Sequence, residues 1–317
     1  MNDAPPPVIS IVVPCYNEEE VLAETSRCLQ LKIDELVQEG SIDKRSSIYF
    51  VDDGSSDSTW NFILRLHSQN PVFKGIKLSR NRGHQNALLA GLMTANGDAL
   101  ISIDADLQDD IGAIDEMIQH FKNGSEIVYG VRSRRETDTW FKKWTAESYY
   151  KVLKKVGVEL VFNHADYRLM SRRALDELSK FSEVNLFLRG IAPQIGFKNS
   201  TVFYERGERF AGESKYPLKK MIAFALEGIT SFSDFPLKII TGMGILISFF
   251  TLLLALWVLG VRIFTDSAVP GWASTLVPLF FLSGVQILSL GIIGQYVSKI
   301  YIESKRRPNY VIEEVAE

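Results

Sequence analysis

The 317-residue chain has a formal net charge of -3 and 46 % hydrophobic residues, enough for one substantial domain with a full core plus further segments. That balance argues against a nucleic-acid binder, because recognition of a phosphate backbone leaves a basic domain. The cysteines, Cys15 and Cys28, have no metal-ligand spacing, so neither a disulfide framework nor a zinc site is expected and a reducing compartment fits.

Residues 1–7 lack a basic stretch followed by an apolar core, so no signal peptide is expected and the amino-terminal part is placed in the cytosol. Residues 8–13 form an apolar run ended by Pro14. The loop Cys15-Tyr16-Asn17-Glu18 then leads into a helical pattern over about 21–37. Residues 47–51 predict a second strand, terminated by Asp52-Asp53-Gly54-Ser55-Ser56-Asp57, where Asp57 or Ser58 can cap the next helix. A third strand over 73–78 runs into Ser79-Arg80-Asn81-Arg82-Gly83-His84 and a helix over about 85–95.

The apolar run 99–103 predicts a buried strand, and it stops abruptly at carboxylates that such a strand cannot hide. Asp104 and Asp106, two apart on an extended chain, point the same way. With the Gln108 amide they make a hard, all-oxygen site suited to Mg2+ or Mn2+, particularly when a diphosphate supplies the remaining ligands. Alone, the triplet reads sooner as a solvated acidic turn before a helix near Ile111; its position after a buried strand, and its surroundings, favour the cation site.

Strands alternating with helices predict an α/β fold, a parallel sheet with helices on both faces. Asn17 and Glu18, Asp52 and Asp53, and Asp104 and Asp106 then face one crevice at the carboxyl edge, where open sheets bind ligands. Separately these are helix entries and Asx-turns, with Arg80 and Arg82 as loop charges. Together they have the parts to hold a nucleoside diphosphate. No Gly-x-Gly-x-x-Gly or Walker loop is present, so neither a Rossmann site nor a P-loop kinase is expected.

On Val13-Pro14-Cys15-Tyr16-Asn17-Glu18, Val51-Asp52-Asp53-Gly54-Ser55-Ser56-Asp57 and Asp104-Ala105-Asp106-Leu107-Gln108, the chain resembles family 2 glycosyltransferases of the GT-A fold. The resemblance implies that Pro14, Tyr16, Glu18 and Asp52 contact the uridine or its ribose. Arg80, His84 and Asp104 complete the donor-nucleotide set, and Asp104, Asp106 and Gln108 ligate Mg2+ or Mn2+.

Residues 127–135 read as a strand running into a basic loop, followed by Trp140-Phe141-Lys142-Lys143-Trp144 and an amphipathic helix through Lys155. Basic residues among Trp and Tyr suit a helix at a headgroup layer, or equally an ordinary surface helix. The runs at 165–173 and 208–216 resemble the polyprenyl-phosphate branch, which includes dolichyl-phosphate mannose synthases and bactoprenol glucosyltransferases. Arg132, Arg209 and Lys215 are candidates for gripping an anionic phosphate. Ser133 and Arg168 join them in the acceptor-phosphate set, and Asp166, Asp106 and Arg209 form the catalytic set. Asp166 resembles a catalytic acid of the bacterial relatives, but an acid beside an anionic nucleophile repels it, so a base and an orienting partner of Arg168 stand as alternative roles.

Residues 239–261 and about 274–298 are uncharged and each long enough to cross a bilayer. Lys215, Lys219, Lys220 and Lys238 precede the first, and Lys299, Lys305, Arg306 and Arg307 follow the second, which places both ends in the cytosol. The expected organisation is a catalytic domain over 1–214, an amphipathic juxtamembrane segment over 215–235, a two-helix hairpin over 236–299 and a cytosolic tail over 300–317. In that tail, Tyr310-Val311-Ile312 reads as a short strand available to another subunit.

The expected activity is inverting transfer of a sugar from a nucleotide sugar to a polyprenyl phosphate in the cytoplasmic membrane by a homo-oligomer, with a tetramer in view. Glucose from UDP-glucose comes first, ahead of mannose, GlcNAc or a modified arabinose. A catalytically idle membrane scaffold that binds nucleotide sugar is the contrasting expectation.

Overall fold

A computed structural model describes residues 5–133, 164–181, 183, 188–205, 207, 237, 240–247, 249, 250, 253, 257 and 272–317. By its internal contacts the chain divides into two compact units. The first comprises Met1–Lys154, Glu159–Tyr216 and Arg306–Glu317; the second comprises Lys155–Val158 and Pro217–Lys305.

The first unit is built on an eight-stranded sheet. Its strands are β1 (Ile9–Cys15), β2 (Ser47–Asp52), β3 (Phe73–Leu78), β4 (Ala99–Ser102), β5 (Ile127–Arg132), β6 (His164–Ser171), β7 (Asn199–Tyr204) and β8 (Ile312–Ala316), in the spatial order β7-β5-β6-β4-β1-β2-β3-β8. β1 pairs in parallel with β2 on one side and β4 on the other, and β2 pairs in parallel with β3. The order of connection therefore reverses at β1, and a crevice opens there at the carboxyl ends.

Every residue of β1 and β2 is buried, which explains their unbroken apolar runs: both faces are covered. Ile9, Ile11 and Val13 join Leu29, Ile33 and Leu36 of helix α1 (Leu22–Gln38) in the core. Each fully buried aliphatic side chain contributes roughly 1.5–3 kcal/mol relative to exposure. On the other face lies α3 (His84–Thr94), at so close an approach that a Cβ on Gly91 would stand 2.4 Å from Val12 Cγ1. Between them in sequence, α2 (Thr59–Gln69) starts where the Asp57 carboxylate accepts from the Thr59 N–H at 3.0 Å; Ser58 makes no side-chain cap.

Beyond β4 the sheet becomes mixed, in keeping with the mostly parallel sheet expected of a GT-A-like domain. β6 runs antiparallel between β4 and β5, with Ser102 opposite Arg168. The amino end of β6 thus lies beside the carboxyl end of β4, while β5 and β7 are parallel to each other. Helix α4 (Ala113–Lys122) precedes β5. After β6 come α5 (Arg172–Leu178), the short α6 (Leu188–Ile191) and a 3-10 turn.

The tail strand corrects an expectation. It extends over Ile312–Ala316, beyond the expected 310–312, and it pairs antiparallel with β3 of its own chain. The Ser79 N–H donates to the Val311 carbonyl at 2.9 Å and Lys77 meets Glu313 at 3.2 Å.

In the second unit, α7 (Trp272–Ser304) is 33 residues long, and its stretch Leu282–Ser304 is long and apolar enough to cross a membrane by length and composition. Ile287, Leu290 and Ile300 on it are exposed. The expected helix through Lys155, the juxtamembrane segment and most of the span 239–261 lie outside the described residues.

Candidate active site

Three loops close over the carboxyl ends of β1, β2 and β3. Asn17, at φ 54°, turns the chain after β1 so that its N–H donates to Ser55 Oγ at 2.9 Å, while its Oδ1 accepts from the Ser56 N–H at 2.9 Å. The Glu18 N–H donates to Thr59 Oγ1 at 3.0 Å. Tyr16 is left 46 % exposed on this rim and Glu18 half-buried, whereas Pro14, expected at the nucleoside, sits buried inside β1 opposite Val51.

The two acids after β2 have different surroundings. Asp52 is fully buried; its Oδ1 accepts from the Ser55 N–H at 3.2 Å and its Oδ2 has no hydrogen-bond partner. Burial pushes its carboxyl up against the pull of Ser55. A buried orphan acceptor at a sheet edge is the mark of a place for a ligand donor. Asp53 instead accepts from the Arg82 and Gly83 N–H groups at 2.7 and 2.8 Å, so it clamps the loop that carries Arg80.

Gly54 makes that clamp possible. It has φ 68°, and a Cβ there would stand 2.6 Å from the Arg80 carbonyl carbon. Gly54→Ala is therefore expected to cost at least about 1–3 kcal/mol of stability from the left-handed backbone alone, and to weaken donor binding by displacing the Arg80 loop. Thermal unfolding and UDP calorimetry on the same variant check both effects.

After β4, Asp104 and Asp106 are both half-buried, and Leu107 at φ 53° turns the chain back. Thr25 Oγ1 of α1 donates to the Ala105 carbonyl at 2.7 Å, which holds this turn from the helix side. The Asp106 Oδ1 accepts from the Gln108 backbone N–H at 3.2 Å, and the backbone carbonyl of the buried Gln108 accepts from the Gly207 N–H at 2.9 Å. His84 Nε2 lies 3.4 Å from Asp104 Oδ1 and 3.7 Å from Asp166 Oδ2, and so joins the two acids.

The Asp104 carboxyl is pushed up to about 6, chiefly by burial and then by the charges of Asp109, Asp166 and Asp106, against the opposing pull of His84. Among the described residues no three His, Cys, Asp or Glu side chains are grouped so as to hold a metal ion by themselves. The two carboxylates of this half-buried turn have the hard oxygen chemistry that a divalent cation takes when diphosphate or water supplies its other ligands.

The sign of the resulting pH dependence follows. A carboxyl raised in the folded state makes the metal-free fold the better proton binder. Its contribution to stability is full below the ordinary Asp value of about 3.9 and is lost as pH rises through about 6. A cation needs the carboxylate, so Mn2+ is expected to raise the melting temperature strongly at pH 7.5 and hardly at all near pH 5. Thermal scans with and without Mn2+ across that range are the check.

On the far side of β4, a second network centres on β6. Asp166, 7 % exposed, accepts from Arg168 at 2.8 Å and from Arg189 of α6 in a two-pronged pair at 3.2 and 3.0 Å. Burial alone would raise its carboxyl, but Arg189 and Arg168 hold it well below the usual carboxylate range. Arg168, expected among the acceptor-phosphate residues, is instead 1 % exposed and spends its guanidinium on Asp166 and the Leu188 carbonyl. Burial of that arginine is tolerated because Asp166 is within reach.

At the end of β5, Arg132 donates to Asp109 at 3.2 Å and to the Tyr204 hydroxyl at 3.2 Å, and Tyr204 donates to Asp109 at 2.5 Å. Ser133 follows with its N–H on the Tyr204 carbonyl at 2.8 Å. Arg132 is thus aimed by a buried acid that the sequence did not single out. Arg189 was missed as well; a lone arginine between apolar Leu188 and Ile191 was the available signal. Arg80 is exposed, and Arg209 and Lys215 lie outside the described residues.

Residues 10–179, which carry all three acidic strand ends, match the family described as Glycosyl transferase family 2. The chain belongs to that family. This family 2 glycosyltransferase is 50 % identical over 313 residues to Uncharacterized glycosyltransferase YkoT of Bacillus subtilis (strain 168), covering 97 % of this chain and 91 % of that protein. It is 40 % identical over 310 residues to the Bactoprenol glucosyl transferase of Shigella phage SfV, covering 96 % and 98 %. Against the Prophage bactoprenol glucosyl transferase homolog of Escherichia coli (strain K12) the identity is 39 % over 308 residues, covering 97 % and 99 %.

Among solved structures, mannosyl-3-phosphoglycerate synthase from Rubrobacter xylanophilus aligns with a TM-score of 0.48 at 17 % identity, over 70 % of this chain and 72 % of that one. Glucosyl-3-phosphoglycerate synthase from Mycobacterium tuberculosis, solved with Mn2+, uridine diphosphate and glucosyl-3-phosphoglycerate, aligns with a TM-score of 0.43 at 17 % identity over 71 % and 78 %. The chain is a glycosyltransferase with a GT-A-like α/β fold and a mostly parallel sheet around the crevice.

Proposed function

We propose that this family 2 glycosyltransferase moves a sugar, glucose from UDP-glucose in the first instance, onto a polyprenyl phosphate such as undecaprenyl phosphate, with Mg2+ or Mn2+ as cofactor. The observation that carries the reading is the arrangement of one sheet edge: an acid pair open to a cation at the end of β4, and an arginine aimed by a buried acid at the end of β5. The relatives that bear the bactoprenol name align over nearly their whole length, which favours the lipid acceptor.

In this reading Tyr16, Glu18 and Asp52 receive the nucleoside, and the Asp52 Oδ2 accepts a hydrogen bond from it. Asp104, Asp106 and Gln108 hold the cation, which when bound neutralises the diphosphate. Arg80 adds positive charge on the donor side. Arg132 and Ser133, together with Arg209 and Lys215, hold the acceptor phosphate.

One acceptor phosphate oxygen forms the new bond to the anomeric carbon as the bond from that carbon to the donor diphosphate breaks. The configuration inverts, UDP leaves, and the product is a β-linked lipid-phosphate sugar. The acceptor oxygen is already anionic at neutral pH, so no proton need be removed and positioning carries the rate. Asp166, engaged by two arginines, is accordingly an orienting group and not a base.

In this reading residues 239–261 and 274–298 are the two spans of a membrane hairpin with both termini in the cytosol; the apolar stretch Leu282–Ser304 of α7, which overlaps the second, favours it. Residues 215–235 serve as the juxtamembrane connection between the catalytic domain over 1–214 and the hairpin, and a homo-oligomer is the working assembly. The test is transfer by the purified protein to undecaprenyl phosphate from a panel of radiolabelled UDP- and GDP-sugars, extracted into organic solvent. Label in the lipid phase from UDP-glucose is expected; label from another donor reassigns the sugar, and none from any donor refutes the lipid acceptor.

A further inference from the structure

The acceptor side of the crevice contains an apparent contradiction. An acid, Asp166, stands where an anionic acceptor is expected to approach, joined through His84 to the metal carboxylate Asp104. The surroundings of Asp166 resolve this. Arg168 approaches it at 2.8 Å from within the sheet, with its side chain only 2 % exposed. Arg189 approaches from the open side, with both prongs on the carboxylate and its side chain 34 % exposed.

The two arginines are not interchangeable, because Arg168 donates to Asp166 Oδ1 alone, whereas Arg189, the more exposed of the two, also donates to Oδ2. Its placement is itself constructed. The short α6 is held by the Arg168 guanidinium on the Leu188 carbonyl at 3.1 Å and by the Leu188 N–H on Gln85 Oε1 at 3.1 Å. Gln85 follows His84 directly, so one turn of α3 carries both the residue that contacts the two acids and the residue that anchors the arginine's backbone.

We propose that Arg189 is a positioning residue that screens Asp166 Oδ2 from the acceptor, so that an anionic phosphate can approach the anomeric centre without meeting a bare carboxylate oxygen. The proposal rests on the phosphate-acceptor reading above. It gives Arg189 a role exerted through Asp166, distinct from the direct grip assigned to Arg132. Arg168 already meets Oδ1, so what Arg189 adds is cover for Oδ2; without it that oxygen edge is turned, unbonded by either arginine, toward an approaching anion and repels it.

The experiment compares the full-length wild type, Arg189→Gln, Arg189→Lys, Asp166→Asn and the Arg189→Gln/Asp166→Asn double variant, measuring KM for undecaprenyl phosphate, kcat, and Mn2+-dependent UDP affinity. Arg189→Gln is expected to raise the acceptor KM about tenfold or more, since like-charge juxtaposition exceeds the free energy of one factor of ten. UDP affinity should stay within a factor of about two. Arg189→Lys, which keeps the charge and loses the fork, should fall between Arg189→Gln and wild type.

The double variant decides the mechanism. With the acid also neutralised, its acceptor KM is expected to return most of the way to that of Asp166→Asn alone. A double variant as weak as Arg189→Gln would overturn the proposal in favour of direct phosphate contact. Loss of UDP affinity in Arg189→Gln and Arg189→Lys alike would overturn it in favour of a purely structural role. A wild type that transfers nothing to any polyprenyl phosphate, with UDP affinity intact, would instead overturn the phosphate-acceptor reading itself.

Discussion

Asp104→Ala is expected to lower kcat/KM for sugar transfer by at least roughly 10²–10³-fold, the scale of removing one preorganised charge-stabilising group. It should also abolish the Mn2+ dependence of UDP binding. Asp104 and Asp106 stand at the end of β4 with their turn held from behind by Thr25, so removing one carboxylate takes away part of an open cation set without unravelling the strand. The same substitution relieves a crowded acid cluster, so the metal-free fold should gain thermal stability at pH 7.5 even as activity disappears. Stability and activity moving in opposite directions separates a metal ligand from a structural acid, and parallel melting and transfer measurements make that distinction.

Asp166→Ala should behave in the opposite way. Arg168 is 1 % exposed, and its Nε already has no partner. Removing the carboxylate leaves that buried guanidinium without its counter-charge and Arg189 without its bidentate acceptor. Breaking a buried pair from one side costs about 3–5 kcal/mol, a large share of a domain's net stability. The melting temperature should therefore drop sharply, and much of the activity loss should be recovered at low temperature if Asp166 orients. A general base would give a rate loss that cooling does not repair, together with a shifted pH profile.

The donor half of the crevice was legible because its signals are local. Apolar runs at 47–51 and 99–103 each stop at an acid, the run at 8–13 ends at Pro14 with Glu18 in the loop beyond, and a fully buried strand can stop at an acid only where its end meets solvent or a ligand. The register of β1 against β2 and β4 then places Asp52 and Asp104 on one edge.

The acceptor half was less legible because its organisation is non-local. Arg168 reads in the sequence both as a phosphate ligand and as the partner of Asp166, and the choice falls to the second only when β6 is laid antiparallel to β4 and both side chains prove buried together. Asp109 reads as a turn residue after the metal motif, yet it is 3 % exposed and is bonded by residues from β5 and β7. Arg189 carries almost no pattern in a four-residue helix. The tail strand was visible as a strand, but its partner was not, since edge pairing is decided by which edge lies free within reach. Here that edge is β3, and the pairing also ties the start of the Arg80 loop to Val311.

The nucleotide-diphosphate site is tested most directly by diffraction from crystals grown with UDP and Mn2+, recorded at the manganese edge. A single anomalous peak is predicted at roughly 2.0–2.2 Å from carboxylate oxygens of the Asp104–Asp106 turn, the span of a small hard divalent cation, with the uracil beside Tyr16 and a donor group on Asp52 Oδ2. UDP bound at that rim with the manganese elsewhere, or manganese at the turn with UDP away from β1 and β2, would contradict it.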